Sequence, residues 1–297
     1  MSKNAFSITV TESLAGQTIE QALKEQWGFS KKLIHQWRMD KAIDLNGSLT
    51  QWKATLAEGD KVTIRLSGDA PTYKPADLAI KPLFEDEHLL IINKPAGIDT
   101  HPNDLSSDNT LVNGAVHYLM QKGHSGYAQP IHRLDRDTTG AILLAKHSAV
   151  KPLLDRMLEQ RLIKRTYWAL AEGHVKKKSG SINEPIGNDR HHNTRKRVSP
   201  SGQRAVTHFK TITHLKNQPL SWLELQLDTG RTHQIRVHLS YMGHPLAGDV
   251  LYGGKKTTKH SVQALHAVSI SLKHPFTNEE LTVVAPDSHD PPRFRSN

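Results

Sequence analysis

One carboxylate in this chain sits where it could do chemistry. In His132-Arg133-Leu134-Asp135-Arg136-Asp137-Thr138-Thr139-Gly140, Asp135 stands between arginines, and the segment runs into the apolar stretch Ala141-Ile142-Leu143-Leu144-Ala145. Nearby positive charge favours the ionised carboxylate. Pinned at the mouth of a strand, such a group can serve as a nucleophile or a base. Most Arg/Asp clusters are surface ion pairs of little consequence, so the reading depends on what else the chain supplies. Asp137 does not complete a glycosidase pair. Two positions apart in an extended segment, the side chains diverge, whereas paired carboxylates face a substrate from about 5–10 Å apart.

Other chemistries are excluded or weakened by what is missing. There are no cysteines, which removes disulfides, thiolate catalysis and cysteine-ligated zinc, including the zinc deaminase site. Of the 19 histidines, His233 and His238 are five apart and do not share a helical face. His191-His192 lies in a basic loop. No glycine-rich nucleotide loop or metal-ligand spacing occurs, so neither a metal nor a cofactor is expected. The string His132-Arg133-Leu134-Asp135 has a superficial likeness to a kinase catalytic loop, but no glycine-rich loop precedes it.

Charge points to a polyanion. The 297 residues carry 39 Lys+Arg against 29 Asp+Glu, a net charge of +10, which suits nucleic acid. The excess is local. Residues 176–210 hold nine Lys/Arg against Glu184 and Asp189, while residues 1–67 hold nine against seven. The basic segment also contains Gly180, Gly187, Pro200 and Gly202 and reads as loops and hairpin. Arg195, Lys196 and Arg197 are expected to form an arm that tracks phosphates, with a solvated basic loop as the alternative. No apolar run approaches the roughly 18–20 residues of a membrane span, and Met1–Phe6 lacks a signal-peptide core. A soluble, cytoplasmic protein is expected.

The elements that must position Asp135 read as follows. Ile19, Leu23 and Trp27 recur at four-residue spacing, as on a helix's buried face. Ser30 is an N-cap candidate for a second helix through Trp37, and Trp27 and Trp37 belong to the core rather than to base-stacking platforms. Asn46-Gly47 is a hairpin turn, and Val62, Ile64 and Leu66 alternate as in a half-buried strand. From residue 68 to 80 the chain is proline-marked, a linker. The boundaries expected are 1–67, a small α/β module; 68–80, the linker; and 81–297, the domain carrying Asp135. That domain offers a buried strand at Leu89–Ile92, a helix over Ala149–Arg161 and a strand over Lys164–Leu170. Leu225-Gln226-Leu227, Gly230–Leu239 and Gly243–Asp249 follow. Without regular βα alternation, the class is α+β.

Three segments together then resemble a family. The Asp135 motif, Lys164-Arg165-Thr166-Tyr167 and Gly230-Arg231-Thr232-His233-Gln234-Ile235-Arg236, in that order and spacing, resemble the RNA pseudouridine synthases named for their large-subunit ribosomal RNA members. The likeness covers about residues 81–285. Residues 13–67 resemble the small RNA-binding domain first seen in a ribosomal small-subunit protein. Thr139 departs from the family's usual serine. The resemblance implies a catalytic domain with a central mixed, largely antiparallel sheet, and a monomer without cofactor. It also implies isomerisation of uridine in structured RNA, large-subunit ribosomal RNA foremost and transfer RNA as the alternative. Asp135 would attack covalently or abstract a sugar proton. Arg231 would be its ion-pair partner, or else a phosphate contact. Tyr167 would stack on a flipped uracil and Arg133 would fill the vacated stack. Ile235 would lie beneath the base or simply in the core, and Lys94 and Pro95 would shape the substrate site. Lys31, Lys32, Arg38 and Lys41 would contact RNA. A catalytically silent assembly factor on the same scaffold is the competing reading.

Overall fold

Apolar side chains at every position of Leu89–Ile92 and Ala141–Ala145 demand strands covered on both faces, and these two segments lie side by side in the largest sheet. The computed structural model describes residues 5–49, 51–66, 69–102, 104, 107–256 and 260–286. The outer ends of the expected domains, residues 1–4, 67–68 and 287–297, lie outside the described residues.

The N-terminal module contains β1 (Ala5–Thr9), α1 (Ile19–Gln21) continued by a wider turn over Ala22–Gln26, α2 (Lys31–Met39), β2 (Ile43–Leu45), β3 (Ser48–Leu49) and β4 (Lys61–Arg65). Its sheet runs β1-β4-β2-β3. Ser30 caps α2 by accepting from the backbone N–H of Leu33 at 3.2 Å, satisfying an otherwise orphan donor. Asn46 and Gly47 both take positive φ between β2 and β3, as the tight hairpin requires. Trp27 and Trp37 are buried with Phe6, Ile8 and Val62. β1 is an element the sequence reading omits, although Phe6, Ile8 and Val10 alternate inward.

The remaining elements are β5 (Pro82–Glu85), β6 (Leu89–Lys94), α3 (Leu111–Gln121), β7 (Gln129–Pro130), β8 (Thr139–Ala145), α4 (Val150–Glu159), β9 (Lys164–Glu172), β10 (Ser179–Asn183), β11 (Ile186–Asn188), β12 (Lys196–Val198), β13 (Val206–His214), β14 (Leu220–Leu227), α5 (Gln234–Tyr241), β15 (Leu265–Lys273) and β16 (Glu280–Val284). The main sheet runs β10-β13-β14-β9-β15-β8-β6-β5, with β16 on β15 and β7 on β8. Every pairing is antiparallel except β15 with β8, so the sheet is mixed and largely antiparallel, and the class is α+β.

Side chains alternate across this sheet. On one face, Leu89, Ile91, Ala141 and Leu143 pack against α4 and the N-terminal module in a shared core. On the other, Leu90, Ile92, Ile142 and Leu144 pack against α3 and the Ile235 and Leu239 stripe of α5. The module is seated by aromatic contact, with the ring of Phe6 stacked on His147 at 4.5 Å and 5.5 Å from Phe276. Residues 69–81 carry neither helix nor strand but are strapped to α3, where Asn113 donates to Lys74 O and accepts Ala76 N–H at its own carbonyl.

At the start of β8, Gly140 has φ +107, and a Cβ there would lie 2.3 Å from Ala267 O. Only glycine lets β15 approach so closely beside the Asp135 loop.

Candidate active site

Asp135 lies in the loop between β7 and β8, and backbone contacts lock that loop. Thr138 N–H donates to Asp135 O at 3.0 Å. Thr100 Oγ1 donates to Leu134 O at 2.9 Å and accepts Leu134 N–H at 3.1 Å. The strongest brace is Lys94, which is fully buried. Its ammonium donates to the carbonyls of Pro95, Ile98 and Arg136 at 2.9, 2.7 and 2.7 Å. Burial lowers its pKa to about 8, against the opposing pull of Asp137, Asp99 and Asp135. Lys94 and Pro95 lie outside the cavity that Asp135 faces. They line a separate cavity of about 240 Å³ with Thr139 and His266, and Lys94 acts on the loop from behind. Thr139, the departure from serine, hydrogen-bonds His266 Nδ1 at 2.7 Å.

The carboxylate of Asp135 faces a cavity of about 530 Å³ whose walls include Arg133, Arg165, Tyr167, Arg231, His233, Ile235 and Arg236. Its side chain is 21% exposed, and Oδ2 accepts from Arg236 Nη1 at 3.2 Å. The ion-pair partner is thus Arg236 and not Arg231, a correction to the sequence reading. Helix α5 begins only at Gln234, after His233 has turned the chain through a left-handed conformation (φ 58, ψ 21). Arg231 precedes that turn, is exposed, and donates from Nε to Arg204 O at 3.1 Å. Arg236 follows it, on a helix buried on all sides from Gln234 to Leu239. The turn is held by Gln234, whose Oε1 accepts from Thr229 Oγ1 at 2.7 Å and Arg231 N–H at 3.0 Å.

A buried guanidinium needs more than one partly exposed carboxylate. Asp249, 1% exposed at its side chain, supplies the rest with a two-point contact to Arg236 Nε and Nη2 at 2.7 and 2.8 Å. Burial works against the charge on Arg236, but Asp249 and then Asp135 outweigh it and hold the guanidinium firmly ionised. Tyr252 stacks on Arg236 at 5.0 Å. The Tyr252 hydroxyl hydrogen-bonds His233 Nδ1 at 2.8 Å and accepts Lys196 N–H at 2.9 Å. His233 Nε2 lies 3.9 Å from Asp135 Oδ2, and burial lowers its pKa although Asp135 pulls the other way.

Tyr167, on β9, is 3% exposed in the same cavity, and burial raises the pKa of its hydroxyl. Ile235 is buried in the cavity wall and in the core at once, and Arg133 is exposed at the rim. The expected RNA-contacting residues do not come to the cavity as one group. Lys31, Lys32, Arg38 and Lys41 are exposed on or just after α2, where Arg38 pairs with Glu20 at 2.9 Å and covers the Trp52 ring. Arg195, Lys196 and Arg197 lie on or beside the β11–β12 hairpin. There Arg195 is held by Asp189 at 2.6 Å, Lys196 Nζ donates to Asn188, and Arg197 is exposed. Among the described residues no cluster of His, Cys, Asp or Glu could hold a metal, and no helix is long and apolar enough to cross a membrane.

Sequence reasoning misses Arg236, Asp249, His233, Tyr252 and the bracing Thr100. A signal existed for the first two. An arginine beside the apolar Ile235/Leu239 stripe is a candidate for burial, and a buried arginine is best stabilised by an acid, which Gly248-Asp249 offers after a turn.

Comparison with known proteins finds two family matches. Residues 88–241 match the RNA pseudouridylate synthase family, and residues 6–62 match the RluD ribosomal pseudouridine synthase N-terminal domain. The chain is 45% identical over 286 residues to "Uncharacterized RNA pseudouridine synthase YhcT" of Bacillus subtilis (strain 168), covering 95% of this chain and 93% of that one. It is 35% identical over 301 residues to "Ribosomal large subunit pseudouridine synthase D" of Escherichia coli (strain K12), covering 96% and 91%. Among solved structures, "Human RNA Pseudouridylate Synthase Domain Containing 1" superposes with a TM-score of 0.57 at 25% identity, over 73% of this chain and 86% of that one.

Proposed function

The chain belongs to the RNA pseudouridylate synthase family, and on that premise we propose that it isomerises particular uridines of large-subunit ribosomal RNA, with Asp135 as the catalytic carboxylate. The observation that carries the reading is the Asp135–Arg236 ion pair at 3.2 Å, facing a cavity that Tyr167 also lines.

Arg236 engages Oδ2 of Asp135, which leaves Oδ1 for the ribose. The bond from C1′ to N1 of the base breaks, a bond from C1′ to C5 forms, the C5 proton departs and N1 gains a proton. Asp135 acts at the sugar, by attack on C1′ or by taking the C2′ proton, and in either route uracil leaves as an anion. When C5 bonds to C1′, the ester bond breaks in the first route and the proton returns to C2′ in the second, freeing the carboxylate. The target nucleotide must be turned out of its stack to reach this depth. Tyr167 then offers its ring to the base, Ile235 the floor, and Arg133 at the rim enters the vacated space. Arg231 and the β11–β12 hairpin contact phosphates, together with Lys31, Lys32 and Lys41. Structured RNA is read largely through backbone and shape, which suits exposed cations on two separate elements. The ribosomal target is supported by the relative named a large-subunit synthase.

The test is tritium release from RNA labelled at C5 of uridine, isolated from cells lacking the enzyme. Wild type should release tritium from large-subunit ribosomal RNA, and Asp135→Ala should release none while still binding. Release from transfer RNA alone would overturn the assignment of substrate. Tight binding without release from either RNA would favour a silent assembly factor.

A further inference from the structure

One buried cation in the cavity wall has no counter-ion among the described residues. Arg165 lies on β9, two residues from Tyr167 and on the same face of the strand, and is 7% exposed. Its Nε is buried without a hydrogen-bond partner, and no carboxylate pairs with it among the described residues. The neighbouring arginines differ, since Arg161 holds Asp228 at 3.2 Å and Arg236 holds Asp135 and Asp249. Two neutral groups lie beside Arg165. They are the Tyr167 hydroxyl and the buried His132, which burial holds uncharged with a pKa of about 3. The Gly230 turn lies close, and a Cβ there would stand 3.3 Å from Arg165 Nη1.

Taking a guanidinium out of water without an anion is costly. Such a charge is an electrostatic group set in advance for an anion that arrives with the substrate. We propose that Arg165 stabilises the uracil anion released from C1′, donating hydrogen bonds to its oxygen. This inference rests on the reaction proposed above. The electron pair of the broken C1′–N1 bond stays on the base and spreads onto O2 and O4. It returns to carbon when C5 bonds to C1′, the C5 proton leaves and N1 is protonated. A planar fork of donors matches a planar, delocalised anion better than a point charge does. A phosphate is the less fitting partner, because Arg165 sits deep beside Tyr167 while Arg133 and Arg231 of the same cavity are exposed to solvent.

The experiment compares wild type, Arg165→Met and Arg165→Lys on transcripts containing uridine or 5-fluorouridine. Conversion is followed by loss of the starting nucleoside from nuclease digests; on 5-fluorouridine C5 keeps its fluorine when it bonds to C1′, and water adds at C6 in place of the proton loss. Fluorine makes the leaving base a more stable anion, so it should partly replace the missing cation. Arg165→Met should lower kcat on uridine by roughly 100-fold, the loss typical of removing one such donor, with KM little changed. Its deficit on 5-fluorouridine should be about tenfold smaller, and Arg165→Lys should recover part of the rate. Equal deficits on both transcripts, or a change confined to KM, would refute the role and indicate a phosphate contact. Thermal unfolding supplies an independent check. Removing an unpaired buried charge should leave the melting temperature of Arg165→Met equal to or above wild type, and a marked fall would make Arg165 a structural cation. A wild type that converts neither transcript would sink the proposed reaction, and this inference with it. A variant as fast as an active wild type sinks the inference alone.

Discussion

Asp249→Ala should strand Arg236 inside the protein, and its effect can be sized from the geometry. The side chain lost is 1% exposed and makes a two-point contact at 2.7 and 2.8 Å. Removing one member of a buried pair costs about 3–5 kcal/mol, because the other charge is left uncompensated. Arg236 keeps Asp135, but at 3.2 Å and through a carboxylate that is 21% exposed. The lower end, about 3 kcal/mol, is therefore expected. For a chain of this size each kcal/mol moves the melting temperature by about 2–4 °C, giving a fall of about 6–12 °C. Circular-dichroism melts of Asp249→Ala, Arg236→Met and the double variant decide the matter. The double variant strands no buried cation, so it should be more stable than Asp249→Ala alone, with a coupling of at least about 1 kcal/mol. Asp249→Ala should also lose at least about tenfold in kcat for tritium release, since the group that aims Asp135 is no longer held. An unchanged melting temperature, or single effects that simply add, would refute the claim that Asp249 holds Arg236 for Asp135.

Further outcomes can be checked alongside. Lys94→Met removes three charge-assisted bonds to carbonyls and should cost about 3 kcal/mol, lowering kcat much more than it alters KM; wild-type stability and turnover would contradict the bracing role. Burial depresses His88 to about 4 and His132 to about 3, below the unfolded value of about 6.5. Their neutral forms thus stabilise the fold fully above about pH 6.5, and this is lost as pH falls through those lower values, with roughly 3 kcal/mol from His88 alone. Urea midpoints that stay level from pH 7 to pH 4 would refute this. Replacing Arg195, Lys196 and Arg197 by Ala should weaken RNA binding and flatten its salt dependence by roughly one to two phosphate contacts rather than three, because Arg195 and Lys196 already have partners. An unchanged slope would remove the hairpin from the RNA footprint.

Local signals in the sequence carried well into the structure. Ser30 before a periodic run, Asn46-Gly47 between strands, and the unbroken apolar segments Leu89–Ile92 and Ala141–Ala145 each report on chemistry within a few residues. What escaped depends on a single backbone angle or on distant pairing. Arg231 and Arg236 are both plausible partners for Asp135 until His233 is seen to adopt φ 58, and no spacing rule locates that turn. Lys94 reads as a site residue only through the family resemblance. Its three carbonyl acceptors come from chain as far away as Arg136. The place of β15 between β9 and β8 could not be read either, since strand order is not local.

That place has a consequence for how the protein is made. β15 is translated after the strands on either side of it, yet it fills the middle of the sheet and brings His266 to Thr139. The chain just beyond it supplies Phe276, whose ring meets Phe6, Trp27 and Phe29 of the opening module. Growing from the N-terminus, the polypeptide acquires the exposed lysines of α2 early but cannot complete its main sheet until residues 265–276 have emerged. The sheet beneath Asp135 stays open until that segment arrives, and the same segment then closes the sheet and meets the opening module.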